Sequence, residues 1–515
     1  MHKTSLYPDT GIQQRAKNVT VWPLVFLLLG ATTYLYLNLF SSLTTPFLIG
    51  GDQVYFWAYA KRMLEGGRIY QDFFQFTPPG TDLVYLGLFK LFGLNVWVTN
   101  ATILVLGVAF CWLCFALANQ IMERRSAMLA SLFFLVVVYG RALNATHHWF
   151  SVLAIMAAVL ILGEGVSASR VLGAGVLLGL ALFFTQSHGF IALLACSVSL
   201  GLMQLATKES WSEFLRKEGL LLLGCAAAWL LLSTPILASI GFKQLWHFQV
   251  TYVRQNVAHA SQGGLLGLPG RVSFRTLPKF SQYLIIYAVL PIVYPLTLWW
   301  CWHERQSPSF PLARVLPLCL VGTFLSLGVT PSLNWLRLFA VACPGIILLF
   351  WNIEWMGMLR RSVIALVLAG FLGFVAIWQI ASAHLYQRSI LNLPGGRIAT
   401  SLQASEKLTW LQAHTTPGQF FFQANWPGLY VPLRLQSPVY VDSIAPIEGT
   451  TLEYMDLTME QLEAKRVQYV LWRALPAASK ASSEHIERFH RYLQLSYRPV
   501  HVFTDGDILW ERNEF

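Results

Sequence analysis

Four carboxylates, Asp52, Glu65, Asp72 and Asp82, fall in one segment between the first two long apolar runs of this chain, and only eight other acids precede residue 384. A carboxylate among apolar neighbours can take a proton from a hydroxyl or amine, or help to hold a divalent cation. Asp52 follows Gly50-Gly51 and leads into the amphipathic run Gln53-Val54-Tyr55-Phe56-Trp57-Ala58-Tyr59, so it also fits a helix N-cap. The two roles are compatible. Asp72 lies in a short loop before Pro78-Pro79, where it fits a cap or a turn, while Glu65 and Asp82 read as helix-surface and first-turn residues. Tyr55, Trp57 and Tyr59 offer faces that could stack on a sugar or sit at a membrane interface.

Groups that could hold an anion lie further on. Residues 241–280 contain Lys243, Arg254, Arg271, Arg275 and Lys279 and no acid, a pattern that attracts phosphate and that equally fits basic side chains reaching toward lipid headgroups. Arg337, in Asn334-Trp335-Leu336-Arg337-Leu338-Phe339 ahead of Pro344, carries a planar fork suited to phosphate oxygens, with interfacial anchoring as its alternative. Arg141, Asn144, His147 and His148 crowd one turn. Two adjacent histidines do not share a helical face, which disfavours a metal pair and leaves one to face a cavity. Gln186 and His188 mark another turn, where they can meet a substrate or satisfy backbone at a helix end.

The elements that must position these residues are membrane helices. The chain has 515 residues, 55% of them hydrophobic and 12% charged, with a mean hydropathy of +0.53; a soluble domain carries roughly twice that share of charge. Apolar stretches predict about eleven spans, at 21–40, 95–118, 126–141, 149–163, 171–185, 189–206, 219–240, 281–300, 315–330, 337–353 and 362–383. One set of short loops holds ten Lys/Arg, and the other holds Arg141 and Arg337. The first set is therefore cytoplasmic. This puts the N-terminus inside, and it puts residue 384 onward outside with the segment 41–94 and its four acids.

The net charge of +11 belongs entirely to residues 1–383, since residues 384–515 hold 12 Lys/Arg against 13 Asp/Glu. Its dispersal among apolar runs disfavours a nucleic-acid surface. All seven cysteines lie in apolar runs, and the Cys111-Trp-Leu-Cys114 pair reads as packing. Residues 384–515 form a second domain, an α/β unit with strands at Gln419–Gln423, Val439–Asp442, Gln468–Arg473 and Val500–Thr504 and helices at 399–414, 450–466 and 481–495.

The first external segment resembles the GT-C superfold of lipid-linked-sugar glycosyltransferases, and within it the branch of protein O-mannosyltransferases and lipid A aminoarabinose transferases. Its matching residues are Asp52, the helix ending Ala60-Lys61-Arg62-Met63-Leu64-Glu65-Gly66-Gly67, Tyr70 with Asp72, Pro78-Pro79-Gly80, and the spacing from Arg337 to Pro344. These motifs cover about 40 residues, and the resemblance in layout runs the length of the chain. It implies an integral protein of the bacterial inner membrane that moves a sugar from a polyprenyl-phosphate donor to a lipid, protein or polysaccharide acceptor. Asp52 would be catalytic and Arg337 would meet the lipid phosphate, with Tyr55, Lys61, Arg62, His147, His148, Gln186, His188 and Arg254 as further substrate-binding candidates. Many relatives have Glu after the first acid. Here Gln53 cannot act as a base, so Asp72 becomes the second candidate acid, and a divalent cation stays an open question. A transporter or flippase of lipid-linked or anionic solutes is the competing reading; it predicts charged or broken helices at the midplane and an internal repeat, and neither is clear in the sequence.

Overall fold

The computed structural model describes residues 21–207, 210–257, 284, 288–330, 335–358, 362–444, 451–473 and 480–513. The expected basic residues Arg271, Arg275 and Lys279 lie outside them. Helix α1 (Trp22–Leu39) runs to Phe40, where the backbone turns extended into a small hairpin of β1 (Phe40–Ser42) and β2 (Thr45–Pro46). Two shorter helices follow, α2 (Gln53–Leu64) and α3 (Gly80–Phe92). The chain then folds back and forth through α4 (Val96–Ala118), α5 (Arg124–Phe133, prolonged by tighter and wider turns to Arg141), α6 (His147–Gly163), α7 (Ala168–Phe184), α8 (Gln186–Thr207) and α9 (Trp211–Trp246). After a π-helix, His247–Val257, come α10 (Leu290–His303), α11 (Leu312–Val329), α12 (Trp335–Val341), α13 (Cys343–Trp355) and α14 (Ser362–Tyr386).

Six helices of the described residues are long and apolar enough to cross a membrane: α1, α4, α8, α9, α11 and α14; α6, α7 and α13 are apolar but shorter. Helix occupies at least part of every predicted span. One boundary differs. The outer loop expected from residue 241 is helical as far as Val257, and the only break is at Gly241, whose φ of 75° suits a residue without a Cβ.

Without a hydrophobic drive between helices in lipid, close packing has to come from small side chains. Helices α7 and α9 meet through Gly175, Gly179 and Gly224; a Cβ on Gly175 would lie 2.3 Å from the Leu221 carbonyl oxygen, and one on Gly224 would lie 2.5 Å from that of Leu172. All seven cysteines are buried free thiols.

The C-terminal part starts with a hairpin of β3 (Ser389–Leu393) and β4 (Gly396–Thr400), then α15 (Leu402–His414). Its main sheet has four strands, β5 (Phe421–Gln423), β6 (Tyr469–Trp472), β7 (Tyr497–Val502) and β8 (Ile508–Arg512), in the order β5-β6-β8-β7, with only β5 and β6 parallel. Helices α16 (Leu452–Ala464) and α17 (Lys480–Ser496) accompany it. Three of the four expected strands are present in part. The fourth, Val439–Asp442, is a loop whose backbone bonds to the segment 41–94: the Phe74 amide donates to Tyr440 O at 2.8 Å.

That segment is held from both sides. Phe47 bridges to Ala399, the Leu48 amide donates to Ala399 O at 2.8 Å, and the Val96 amide donates to Gly395 O at 3.0 Å. Helix α2 is consequently buried on nearly every side, Gln53, Val54 and Phe56 to Lys61 included. Amphipathic in sequence, it is a middle layer between the bundle and the sheet domain.

Candidate active site

Asp52 occupies the N-cap position of α2, yet its carboxylate caps nothing: no side-chain bond closes this helix end. The carboxylate is therefore available for other work. Solvent reaches it in a recess walled by protein. Loss of bulk water pushes its pKa above the usual carboxylate value, and the charge of Arg337 pulls the other way. Arg337 thus lies within charge-interaction range of Asp52, and of His147, His148 and His188 as well.

The three histidines come from two helix starts. His147 and His148 open α6, with ring centroids 4.0 Å apart, and His148 lies 5.0 Å from His188 of α8. Adjacent positions were expected to diverge. In the first turn of α6 the two rings instead stand side by side, because the Phe56 ring of α2 packs against His147 at 5.3 Å while His148 faces α8. Ser151 Oγ lies 3.0 Å from His188 Nδ1, and Thr185 Oγ1 donates to the His147 carbonyl. The Nδ1 atoms of His147 and His148 are buried with no hydrogen-bond partner among the described residues. No group of three or more His, Cys, Asp or Glu side chains in the described residues is arranged to hold a metal ion. Among the described residues, a divalent cation therefore finds no ready ligand set.

Gln53 sets this geometry, a role its sequence position did not signal beyond its inability to be a base. It is fully buried; its Oε1 accepts from the Ala145 amide at 3.1 Å and its Nε2 donates to Gly50 O at 3.0 Å. One side chain thereby ties the loop before Asp52 to the loop before the histidines.

Other candidates stand elsewhere. Asp72 lies past the far end of α2, about 18 Å of helix from Asp52, where its carboxylate takes the Arg68 backbone amide at 2.8 Å and the Arg68 guanidinium at 3.0 and 3.1 Å. Those bonds hold its pKa below the usual value. Lys61 is buried against Glu65, with Nζ to Oε1 at 2.5 Å, and burial lowers its pKa. Arg62 points to the sheet domain, donating to Val439 O at 2.7 Å and to both carboxylate oxygens of Asp442 at 3.1 Å. Tyr55 meets Trp426 edge to face at 5.1 Å. Gln186 donates to the Gln249 carbonyl at 2.8 Å, and Arg254 is exposed on the π-helix. The structure thus gathers Asp52, Arg337, His147, His148 and His188 and leaves Asp72, Lys61 and Arg62 outside the group. Asp82 stands in a helix's first turn, as its position led us to expect, but within the core. It is fully buried in the first turn of α3, within 3.5 Å of Gln75 Nε2, and its pKa is pushed well up by burial.

Asp52 and Arg337 thus lie within charge-interaction range of each other in a helical bundle joined to a C-terminal sheet domain. Among solved structures, ArnT from Cupriavidus metallidurans, crystallised with undecaprenyl phosphate, superposes with a TM-score of 0.59 at 14% identity, over 96% of this chain and 98% of that one. The oligosaccharyltransferase of Archaeoglobus fulgidus in its apo form gives 0.50 at 13% identity, over 96% of this chain and 75% of that one. No protein-family model and no curated protein sequence matches the chain. The likeness is one of fold.

Proposed function

We propose that this protein transfers a sugar from a polyprenyl-phosphate donor to an acceptor nucleophile at the outer face of the membrane, with inversion at the anomeric carbon. One observation carries the reading: the carboxylate of Asp52 makes no cap bond and lies within charge-interaction range of Arg337. The whole-length likeness in fold to a protein crystallised with undecaprenyl phosphate supports the donor class. In this scheme Asp52 takes the proton of the acceptor hydroxyl or amine as the acceptor atom bonds to C1. The C1–O bond to phosphate breaks, and its electron pair leaves with the lipid phosphate. Arg337 offsets the charge that gathers there, an electrostatic contribution that strengthens away from bulk water. A raised Asp52 pKa suits the work, because a more basic carboxylate is the better proton acceptor as long as it is ionised at working pH. His147, His148 and His188 offer neutral hydrogen-bonding edges for the donor's phosphate or sugar.

The orientation belongs to the same proposal: about eleven spans, the N-terminus inside and the sheet domain outside, in a bacterial inner membrane. A cysteine placed in the sheet domain should react with an impermeant maleimide in intact cells, and protection there would reverse the topology. For the chemistry, purified protein is given radiolabelled polyprenyl-phosphate sugars, varied in the sugar, with lipid, peptide and polysaccharide acceptors. Asp52→Asn should cost about 10²–10⁴-fold in turnover and Arg337→Ala about 10²–10³-fold. Near-normal turnover by a folded Asp52→Asn enzyme would sink the mechanism.

A further inference from the structure

A cleft of about 280 Å³ lies between the loop before α2 and the sheet domain, near the lower end of the size range of small-ligand pockets. Leu48, Ile49 and Gly50 of that loop line it together with Val54 of α2, so it adjoins the turn that carries Asp52.

Its lining mixes two kinds of surface. Trp426, partly exposed, stands over one wall, and Tyr386 stands at the end of the last membrane helix. The polar groups are Gln387, Thr400, Ser401, Gln423 and the ion pair of Lys407 with Asp505; Lys407 Nζ is also held by Asp507 Oδ2 at 2.5 Å. Gln387 Oε1 is buried with no hydrogen-bond partner among the described residues, so it is the side-chain amide nitrogen that is left to face a ligand. An acyl chain would strand these polar groups. A sugar ring presents C–H faces to an indole and hydroxyls to an amide and an ion pair, which is the combination found here.

We propose that this cleft holds a sugar ring of the acceptor, which makes the acceptor a glycan whose reacting end lies at the adjoining turn that carries Asp52. The inference rests on the transferase reading above. Its test uses the full-length protein in lipid nanodiscs and a panel of methyl glycosides of glucose, mannose, galactose and N-acetylglucosamine, read by saturation-transfer NMR. At least one glycoside should bind. Trp426→Ala and Gln387→Ala, each checked by thermal melting, should weaken it tenfold or more, Trp426→Phe should restore it to within threefold, and Asp52→Asn should leave it unchanged. No binding by any glycoside, or equal binding by both alanine variants, overturns the proposal.

The two readings fail separately. Trp426-dependent binding without transfer from any lipid-linked donor keeps the cleft and removes the transferase. Transfer with glycoside binding indifferent to Trp426 and Gln387 keeps the transferase and removes the cleft.

Discussion

At the scale of single residues, Asp52 differs from the other acids of residues 41–94 in what its oxygens are doing. Asp72 is saturated by Arg68, Glu65 pairs with Lys61, and Asp82 is buried beside Gln75. The Asp52 carboxyl is raised by burial and lowered by Arg337, and this gives a signed pH prediction. A base must be ionised, so turnover falls as pH drops through its pKa, and the acid limb should stand above the usual Asp value near 4. Removing Arg337 takes away the lowering influence, so the acid limb of the remaining activity in Arg337→Ala should move to higher pH. An unmoved limb would dissociate the two residues. Asp72→Asn should keep most of the turnover and loosen the 68–72 turn instead, seen as faster amide exchange there; its bonds to Arg68 form above the unfolded pKa and are lost as pH falls through the lowered one. Asp52 and Arg337 were singled out as candidates in the sequence, Asp52 because few acids share its segment and Arg337 by its place at a helix entry. Gln53 was not. A buried amide that staples two loops looks, in sequence, like any polar residue in a first helical turn.

Among the elements, apolar periodicity located the helices, because lipid demands internal hydrogen bonding and long charge-free runs leave no other solution. Gly241 was taken as a loop boundary, but one positive φ bends α9 and leaves the helix running on. Strands were harder to read. Val439–Asp442 has the composition of a strand but spends its backbone on Phe74 and Arg62, whereas β8, Ile-Leu-Trp-Glu-Arg, hid behind its charged end. Packing in the bundle depends on where glycine sits. Gly173 has nothing within 4 Å of an added Cβ, while Gly175 meets backbone at 2.3 Å. Gly173→Ala should be neutral or stabilising by about 0.5–1 kcal/mol, and Gly175→Ala should cost about 1–3 kcal/mol. Thermal unfolding in one detergent compares them directly, and equal effects would contradict the close approach of α7 and α9.

For the whole molecule, the sheet domain and the bundle share one functional layer. Arg62, 14% exposed at its side chain, meets the fully buried carboxylate of Asp442, and removing one partner of a buried pair costs about 3–5 kcal/mol because the other is left unpaired. Arg62→Ala and Asp442→Ala should each release the 437–442 loop, visible as protease cleavage there, and lower turnover through displacement of α2. Unchanged cleavage and turnover would show that the sheet domain is only an appendage. The sequence announced the second domain by its change in charge; that it grips α2 was hidden, because Lys61 and Arg62 read as a basic helix end facing solvent or substrate.

The bond from Arg62 to Val439 O joins residues 377 apart in the chain. Synthesis therefore delivers α2 early and its clamp last. Through insertion of every intervening helix α2 waits, with Arg62 lacking its final partners, and a ribosome stalled anywhere before the sheet domain leaves a bundle that has reached the membrane with α2 unset. Long-range closure of this kind is slow. It also makes the last quarter of translation a checkpoint: a nascent chain arrested before residue 437 should be inserted and yet inert, and completion alone should switch it on.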